Sequence, residues 1–333
     1  QAIRAFMIQV RELSKVYQTY KKQSGFWGSV KGLVHREYEK TEAVRNVSFD
    51  IQSGELVGFM GPNGAGKTTT LKMLSGLLYP SSGTARVLGY TPWERHDDYR
   101  RQFALLLGQK NQLWWDLPAR ESLELNARIY GIPESQWQQT VAEMTEMLQV
   151  SEKLDVMVRE LSLGERMKME LIASLIHQPK ILFLDEPTIG LDVVSQKTVR
   201  DFLKHLNETQ KTTIILTSHY MADIQELCKR VLIIDHGKLF YDGDLQGILD
   251  QFVDEKRINI LLEDPSMPLP EKCRSIGFVE SFINGKLQIR VKRKSVIQAS
   301  KALLDMLPVA DLNIEEVPIE EVIRQIYADN DHR

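Results

Sequence analysis

Residues 7–60 run as short apolar stretches alternating with polar clusters, a rhythm that predicts strands. One stretch, Leu56-Val57-Gly58-Phe59-Met60, is apolar at every position and is expected to be a strand buried on both faces. A glycine-rich turn follows it, and then residues 69–78, which read as a helix. Residues 85–88, 103–107, 181–184, 213–217 and 231–234 are further β-like runs. The last three lie between helical patterns, which predicts a parallel sheet covered by helices. Residues 118–148 read as two helices broken at Gly131-Ile132-Pro133, and Pro179 stops a helix that begins near Leu163.

The pattern changes near residue 250. Residues 258–262 read as a strand and 263–270 as a proline-rich turn. Residues 278–282 and 287–291 flank Asn284-Gly285, a strong hairpin signal. Residues 295–307 and 319–327 read as helices. The chain is therefore expected to hold one large domain over 7–248 and a small α+β domain over 250–328. No internal repeat or low-complexity tract interrupts either.

Residues 21–40 break the strand rhythm. Phe26, Trp27, Val30, Leu33, Val34 and Tyr38 keep the spacing of one helical face. Lys21, Lys22, Lys31, Arg36 and Lys40 stand against Glu37 and Glu39, a balance of 5 − 2 = +3. Two readings stay open: a basic amphipathic helix in contact with the membrane surface or a membrane partner, or a helix packed on its own sheet.

Composition narrows the class. The 333 residues are 43% hydrophobic and 26% charged, as in soluble globular chains. A net charge of −3 supplies no global basic field, so no nucleic-acid partner is expected. No uninterrupted apolar run approaches the ~18 residues of a membrane span. The first ten residues lack the features of a signal peptide, and Met7 is expected to be the native start. Cys228 and Cys273 stand far apart without flanking ligand patterns, which argues against a disulfide framework or metal cluster and fits a reducing cytoplasm.

The chemistry sits in the glycine-rich turn. Gly61, Pro62, Asn63, Gly64, Ala65, Gly66, Lys67 and Thr68 read GPNGAGKT, a phosphate-binding loop in its strand–turn–helix context. Glycines let backbone N–H groups wrap an anion, and the helix start at Thr69 adds its positive dipole end. Lys67 is expected at the β- and γ-phosphates and Thr68 on Mg²⁺. Only one such loop is present.

Its companions carry a family resemblance. Leu161-Ser162-Leu163-Gly164-Glu165, then Ile181-Leu182-Phe183-Leu184-Asp185-Glu186-Pro187, then Thr217-Ser218-His219 follow in fixed order. Over residues 8–245 the chain resembles the nucleotide-binding subunits of ABC transporters. The small domain is similar to the extension of ABC-2-type, daunorubicin-resistance-type exporter ATPases. The resemblance implies an α/β phosphate-loop core with a mixed sheet, a helical subdomain near 110–178, and ATP and Mg²⁺ as ligands.

Site roles follow from the resemblance position by position. Asp185 holds Mg²⁺ through water, and Glu186 is the base that polarises the attacking water. His219 contacts the γ-phosphate, and Gln109 senses Mg²⁺ and that water. Tyr17, with Tyr20 as its rival, stacks on adenine. Ser162, Gly164 and Glu165 reach the γ-phosphate bound by an opposite protomer, and Asp192 lies in the loop that crosses between protomers. Leu163 and Glu165 depart from the family pattern LSGGQ, and Glu165 places a negative charge near phosphates. Trp114 and Trp115 fall where the family faces its membrane partner, or else they are core.

The function implied is ATP hydrolysis driving a transporter, most simply an exporter. A homodimer or heterodimer of ATPase subunits would work on separate transmembrane permease subunits at the cytoplasmic face of the membrane. A soluble non-transport ATPase of the superfamily and a regulatory ATP binder with weak hydrolysis are the rival readings. The first would normally carry two phosphate loops, and the second would follow if Leu163 and Glu165 disable the site.

Overall fold

A computed structural model describes residues 6–20, 38–108, 112–218, 220–252, 254–317 and 321–323. The chain divides into two compact units, residues 1–243 and 244–333.

The first unit holds two sheets. Strands β1 (Phe6–Tyr20), β2 (Tyr38–Gln52) and β4 (Ser82–Val87) form an antiparallel sheet in the order β2-β1-β4. The second sheet has the order β5-β6-β7-β3-β8-β9. Its members are β3 (Leu56–Met60), β5 (Phe103–Leu107), β6 (Ile181–Asp185), β7 (Thr213–Thr217), β8 (Arg230–Asp235) and β9 (Lys238–Asp244). From β5 to β8 the neighbours are parallel. Helices cover both faces of such a sheet, and the strands are accordingly apolar without alternation: Ile181 to Leu184 and Val231 to Ile234 are all buried.

Helix α1 (Lys67–Leu74) follows β3 and buries Leu71, Met73 and Leu74 in the core that joins both sheets, with Ile8, Val10, Phe49, Phe59 and Phe183. It ends at Ser75, before the expected Leu78, and Ser75 and Gly76 donate to Leu71 and Met73 carbonyls to close its last turn. A short helix α2 (Asp97–Arg100) precedes β5. The helices α3 (Ala119–Tyr130), α4 (Glu134–Met147) and α5 (Leu163–Leu175) form the helical part. Gly131, in the left-handed conformation, ends α3 as the sequence predicts, whereas α5 stops well before Pro179. Two further helices, α6 (Val193–Gln210) and α7 (Met221–Leu227), flank β7.

β1 and β2 are longer than the short strands expected, and bulges at Val10/Leu13 and Lys15/Val16 break their alternation. β2 begins at Tyr38, so the last three residues of the expected amphipathic helix, 38–40, are strand. They pair with Tyr20, Thr19 and Gln18, and this pairing overrides the local helical spacing. Residues 21–37, with Phe26, Trp27, Val30, Leu33 and Val34, lie outside the described residues.

The second unit begins with α8 (Leu245–Phe252) and continues with β10 (Glu255–Leu262), α9 (Cys273–Ile276), β11 (Phe278–Ile283), β12 (Lys286–Lys292), α10 (Val296–Met306) and β13 (Val309–Glu316). The four strands pair antiparallel in the order β11-β12-β10-β13. Asn284 and Gly285 both have positive φ, the type I′ geometry the dipeptide predicts. Ile258, Ile260 and Leu262 share one core with Leu287, Ile289, Val291 and α10's Leu303. On the alternate positions Arg257 binds Glu280 at 2.6 Å and Glu321 at 2.7 Å, with Arg257 and Glu280 largely buried and Glu321 partly exposed. Sequence patterning missed β13, whose exposed positions include Asp311 and Asn313 and break any apolar run.

Candidate active site

The parallel sheet sets the site at its carboxyl edge, where loops leave β3, β5, β6 and β7. Register brings Leu107, Asp185, Thr217 and Phe59 abreast as consecutive neighbours across the four strands. Asp185 accepts from the Thr68 hydroxyl at 2.7 Å on one carboxylate oxygen and from the Thr217 hydroxyl at 2.7 Å on the other. Gly108 N–H donates to the Asp185 carbonyl at 2.9 Å, tying the exit of β5 to the exit of β6. A Cβ on Gly108 would meet the Glu186 and Asp185 carbonyls at 2.8 and 2.9 Å, so no larger residue fits that crossing.

The loop's glycines differ in purpose. A Cβ on Gly61 would lie 2.3 Å from the Ile234 carbonyl, and one on Gly66 2.4 Å from the Ala43 carbonyl. These two are needed for packing against β8 and β2 as well as for any ligand. Gly66 also sits at φ 109, open to glycine alone. Gly64 has φ 81 and open space around it, so its backbone faces no protein. Ala65 N–H turns back to the Pro62 carbonyl, and the Ala65 carbonyl accepts from Gly237. Asn63 is exposed, and Thr69 stands at the start of α1.

Lys67 is buried, and its ammonium donates to the Gly61 carbonyl at 2.6 Å and the Pro62 carbonyl at 3.0 Å. Burial pushes its pKa down, and the Glu186 and Asp185 carboxylates offset part of that push. An anion arriving at the loop replaces two neutral carbonyl acceptors by charged ones.

Glu186 has φ 56, the left-handed conformation, at the end of β6. A non-glycine residue there costs about 1–2 kcal/mol, and the surroundings hold it in place. Its N–H donates to the Thr217 carbonyl and to the Thr217 hydroxyl, at 3.1 and 3.0 Å. Gln109 and His219 lie outside the described residues, between the described Gly108 and Gln112 and between Ser218 and Tyr220.

At the other candidate half-site, Ser162 caps α5. Its hydroxyl accepts from Glu165 N–H at 3.3 Å, and the Glu165 carboxylate accepts from Ser162 N–H at 2.9 Å, a capping box. Lys153 adds an ion pair to Glu165 at 3.0 Å. The Ser162 N–H, with Lys153 contributing further, holds the Glu165 carboxyl below the ordinary glutamate range. The charge that sequence reading sets against the phosphates is thus engaged by its own helix start. A Cβ on Gly164 would meet the Ser195 hydroxyl at 2.7 Å, and one on Gly190 would meet Leu163 at 2.9 Å. The signature turn therefore packs directly on the loop that ends at Asp192, the N-cap of α6.

Tyr17 is exposed on β1, with the Lys15 ammonium 5.5 Å from its ring centre. Trp114 and Trp115 are 40% and 44% exposed, which removes the core reading, while Leu113 beside them is buried. Arg166 of α5 stacks over Trp115 at 5.2 Å.

Sequence reading missed the side chains that support these loops. Glu170, buried in α5, accepts from Gln112 N–H and Leu113 N–H, and burial drives its pKa up. Its one signal is a lone acid amid the apolar positions of α5. Thr217 was read as the end of a strand leading into Ser218-His219, and nothing local marks a hydroxyl that a neighbouring strand will use.

The hard oxygen donors on Thr68 and Asp185 fit Mg²⁺, and the open backbone at Gly64 with the Lys67 ammonium fits polyphosphate. Among the described residues no cluster of three or more His, Cys, Asp or Glu could hold a metal ion.

Fold and site together define a phosphate-loop nucleotide hydrolase. A family model described as ABC transporter matches residues 44–189, and one described as EvrA-like ABC transporter, C-terminal domain, matches 254–315. The daunorubicin/doxorubicin resistance ATP-binding protein DrrA of Streptomyces peucetius is 31% identical over 82% of this chain and 79% of its own length. The Nod factor export ATP-binding protein I of Burkholderia orbicola (strain AU 1054) is 34% identical over 70% of this chain and 76% of its own. A solved ATP-binding subunit of an ABC transporter superposes with a TM-score of 0.61 at 26% identity, covering 74% of this chain and 93% of that one. The chain belongs to the ATP-binding subunits of ABC transporters.

Proposed function

We propose that this chain hydrolyses ATP to drive a membrane exporter, with Lys67, Thr68, Asp185 and Glu186 as its working residues. The observation that carries the reading is the hydrogen-bonded row Thr68–Asp185–Thr217 at the carboxyl edge of β3, β6 and β7, with Lys67 and Glu186 beside it. The export arm rests on relatives named for drug resistance and for Nod factor export. Among the described residues no helix is long and apolar enough to cross a membrane, and a transmembrane permease on another chain supplies the path.

Lys67 exchanges its carbonyl partners for β- and γ-phosphate oxygens, while the loop's N–H groups take the rest. Thr68 and, through water, Asp185 would hold Mg²⁺, which would supply neutralisation of phosphate charge. Glu186 orients a water and takes its proton, and Gln109 and His219 attend the γ-phosphate. Tyr17 stacks on adenine. Two copies, alike or paired with a second ATPase subunit, enclose the nucleotides, with Ser162 and Gly164 of one facing the phosphates held by the other. Closure follows binding, reopening follows hydrolysis, and the permease shifts with each.

The exposed indoles support a reading in which Trp114 and Trp115 meet the permease at the cytoplasmic face of the membrane. Trp115→Ala is expected to leave basal ATP hydrolysis of the isolated subunit within about twofold, because exposed side chains away from the chemistry contribute little. Transport in vesicles carrying the permease is expected to collapse. Intact transport, or a collapse in melting temperature instead, contradicts the assignment. The wider reading is tested by phosphate release from the purified subunit with and without permease: no hydrolysis in either sample sinks it.

We propose further that the large domain, 7–248 by sequence and 1–243 by packing, folds without the small one. A chain ending after Asp244 is expected to remain soluble, melt cooperatively and bind ATP. Loss of native circular dichroism in that truncation would rule this out.

A further inference from the structure

Asp223, on α7, has no solvent exposure and belongs to none of the loops above. One carboxylate oxygen accepts from the Thr188 hydroxyl and from the Ser218 hydroxyl, the latter at 2.7 Å. The other accepts from Arg200 of α6 at 3.0 Å, and Arg200 also binds Glu226 at 2.6 Å. Three elements meet on this one group. Thr188 lies two residues after Glu186, in a turn closed by Ile189 N–H to the Glu186 carbonyl and Leu191 N–H to the Thr188 carbonyl. Ser218 stands just before His219, and its hydroxyl also accepts from Tyr220 N–H at 3.0 Å, so both neighbours of His219 are held. Arg200 belongs to the helix that Asp192 caps.

Burying a carboxylate this completely is costly unless both of its oxygens have partners. The two hydroxyls and the guanidinium supply them, and the group is thereby fixed in one geometry. Glu186 itself is held from behind by Thr217 in a strained conformation, so its direction depends on where the turn through Thr188 is fastened.

We propose that Asp223 is a positioning residue for ATP hydrolysis: through Thr188 and Ser218 it fixes the turn bearing Glu186 against the loop bearing His219. This rests on the ATPase reading above. With no solvent exposure Asp223 cannot reach a bound nucleotide, so it acts on turnover and leaves binding alone.

The test uses Thr188→Val and Ser218→Ala in the full chain, since both leave the Asp223–Arg200 ion pair in place. Each is expected to lower kcat about tenfold, because a misplaced catalytic group is penalised steeply. KM for ATP and the affinity for a fluorescent ATP analogue are expected to stay within about twofold. The double variant is expected to be no slower than the slower single variant, since both act through one carboxylate. Thr188→Ser, which restores the donor, is expected to recover turnover. Unchanged kcat in both single variants overturns the proposal even if their melting temperatures fall, as does a loss shared equally by binding and turnover. A wild-type chain that hydrolyses no ATP overturns the underlying reading instead, and the wild-type control separates the two failures.

Discussion

Replacing Glu186 by Gln is expected to cut steady-state ATP hydrolysis by about 10²–10⁴-fold, the usual loss when a positioned base is removed. The substitution keeps the shape of the side chain and removes its basicity. The backbone of residue 186 is held by its N–H to Thr217, a contact the variant retains, so the strained turn should survive. ATP binding depends on the loop and on Lys67, and is expected to be unchanged. Binding without turnover should trap a closed dimer, visible as an ATP-dependent shift in size-exclusion chromatography with light scattering. Near-wild-type phosphate release by this variant would reassign the base to another group.

Lys67→Ala is expected to abolish hydrolysis and weaken nucleotide binding about tenfold to a hundredfold. A hydrogen bond to a charged group contributes roughly 1.5–3 kcal/mol, and each 1.4 kcal/mol is about a factor of ten in affinity. The fold should tolerate the change: the ammonium is desolvated, and among the described residues it donates to the loop's own carbonyls at Gly61 and Pro62. Calorimetric titration with Mg·ATP and a phosphate-release assay read the two effects. Preserved affinity and turnover together would show that the loop is not the working one.

The two variants separate binding from chemistry because the two side chains sit on different strands. Lys67 belongs to the turn after β3 and Glu186 to the end of β6, and β7 stands between them. Thr217 of that middle strand touches both Asp185 and the Glu186 backbone. A fault introduced at Thr217 would therefore disturb the metal-side and the base-side groups together, whereas Glu186→Gln disturbs the base alone and Lys67→Ala the phosphate contacts alone.

Local chemistry made much of this molecule legible in its sequence. The phosphate loop is contiguous, and a glycine-rich turn between an apolar strand and a helix can form few other things. The buried strands were readable because burial on both faces leaves an unbroken apolar run, as at Ile181 to Leu184. Gly131 and Asn284-Gly285 marked their cap and turn because few other residues adopt positive φ readily. The strand paired at residues 38–40 was misread as helix, since spacing along one segment carries no knowledge of the strand that will lie beside it.

What only the tertiary structure decided is which distant groups share a bond. Asp185 and Thr217 are 32 positions apart and Thr68 is 117 from Asp185, yet strand register sets them side by side. Glu165 looked like an unfavourable charge until its capping box and Lys153 were seen to hold it. Glu170 and Asp223 were unremarkable acids in the sequence, and they became anchors because folding buried them against donors from other loops. A one-dimensional pattern records periodicity and local backbone preference. A hydrogen bond between loops depends on how the sheet is ordered, and that order exists only in the folded chain.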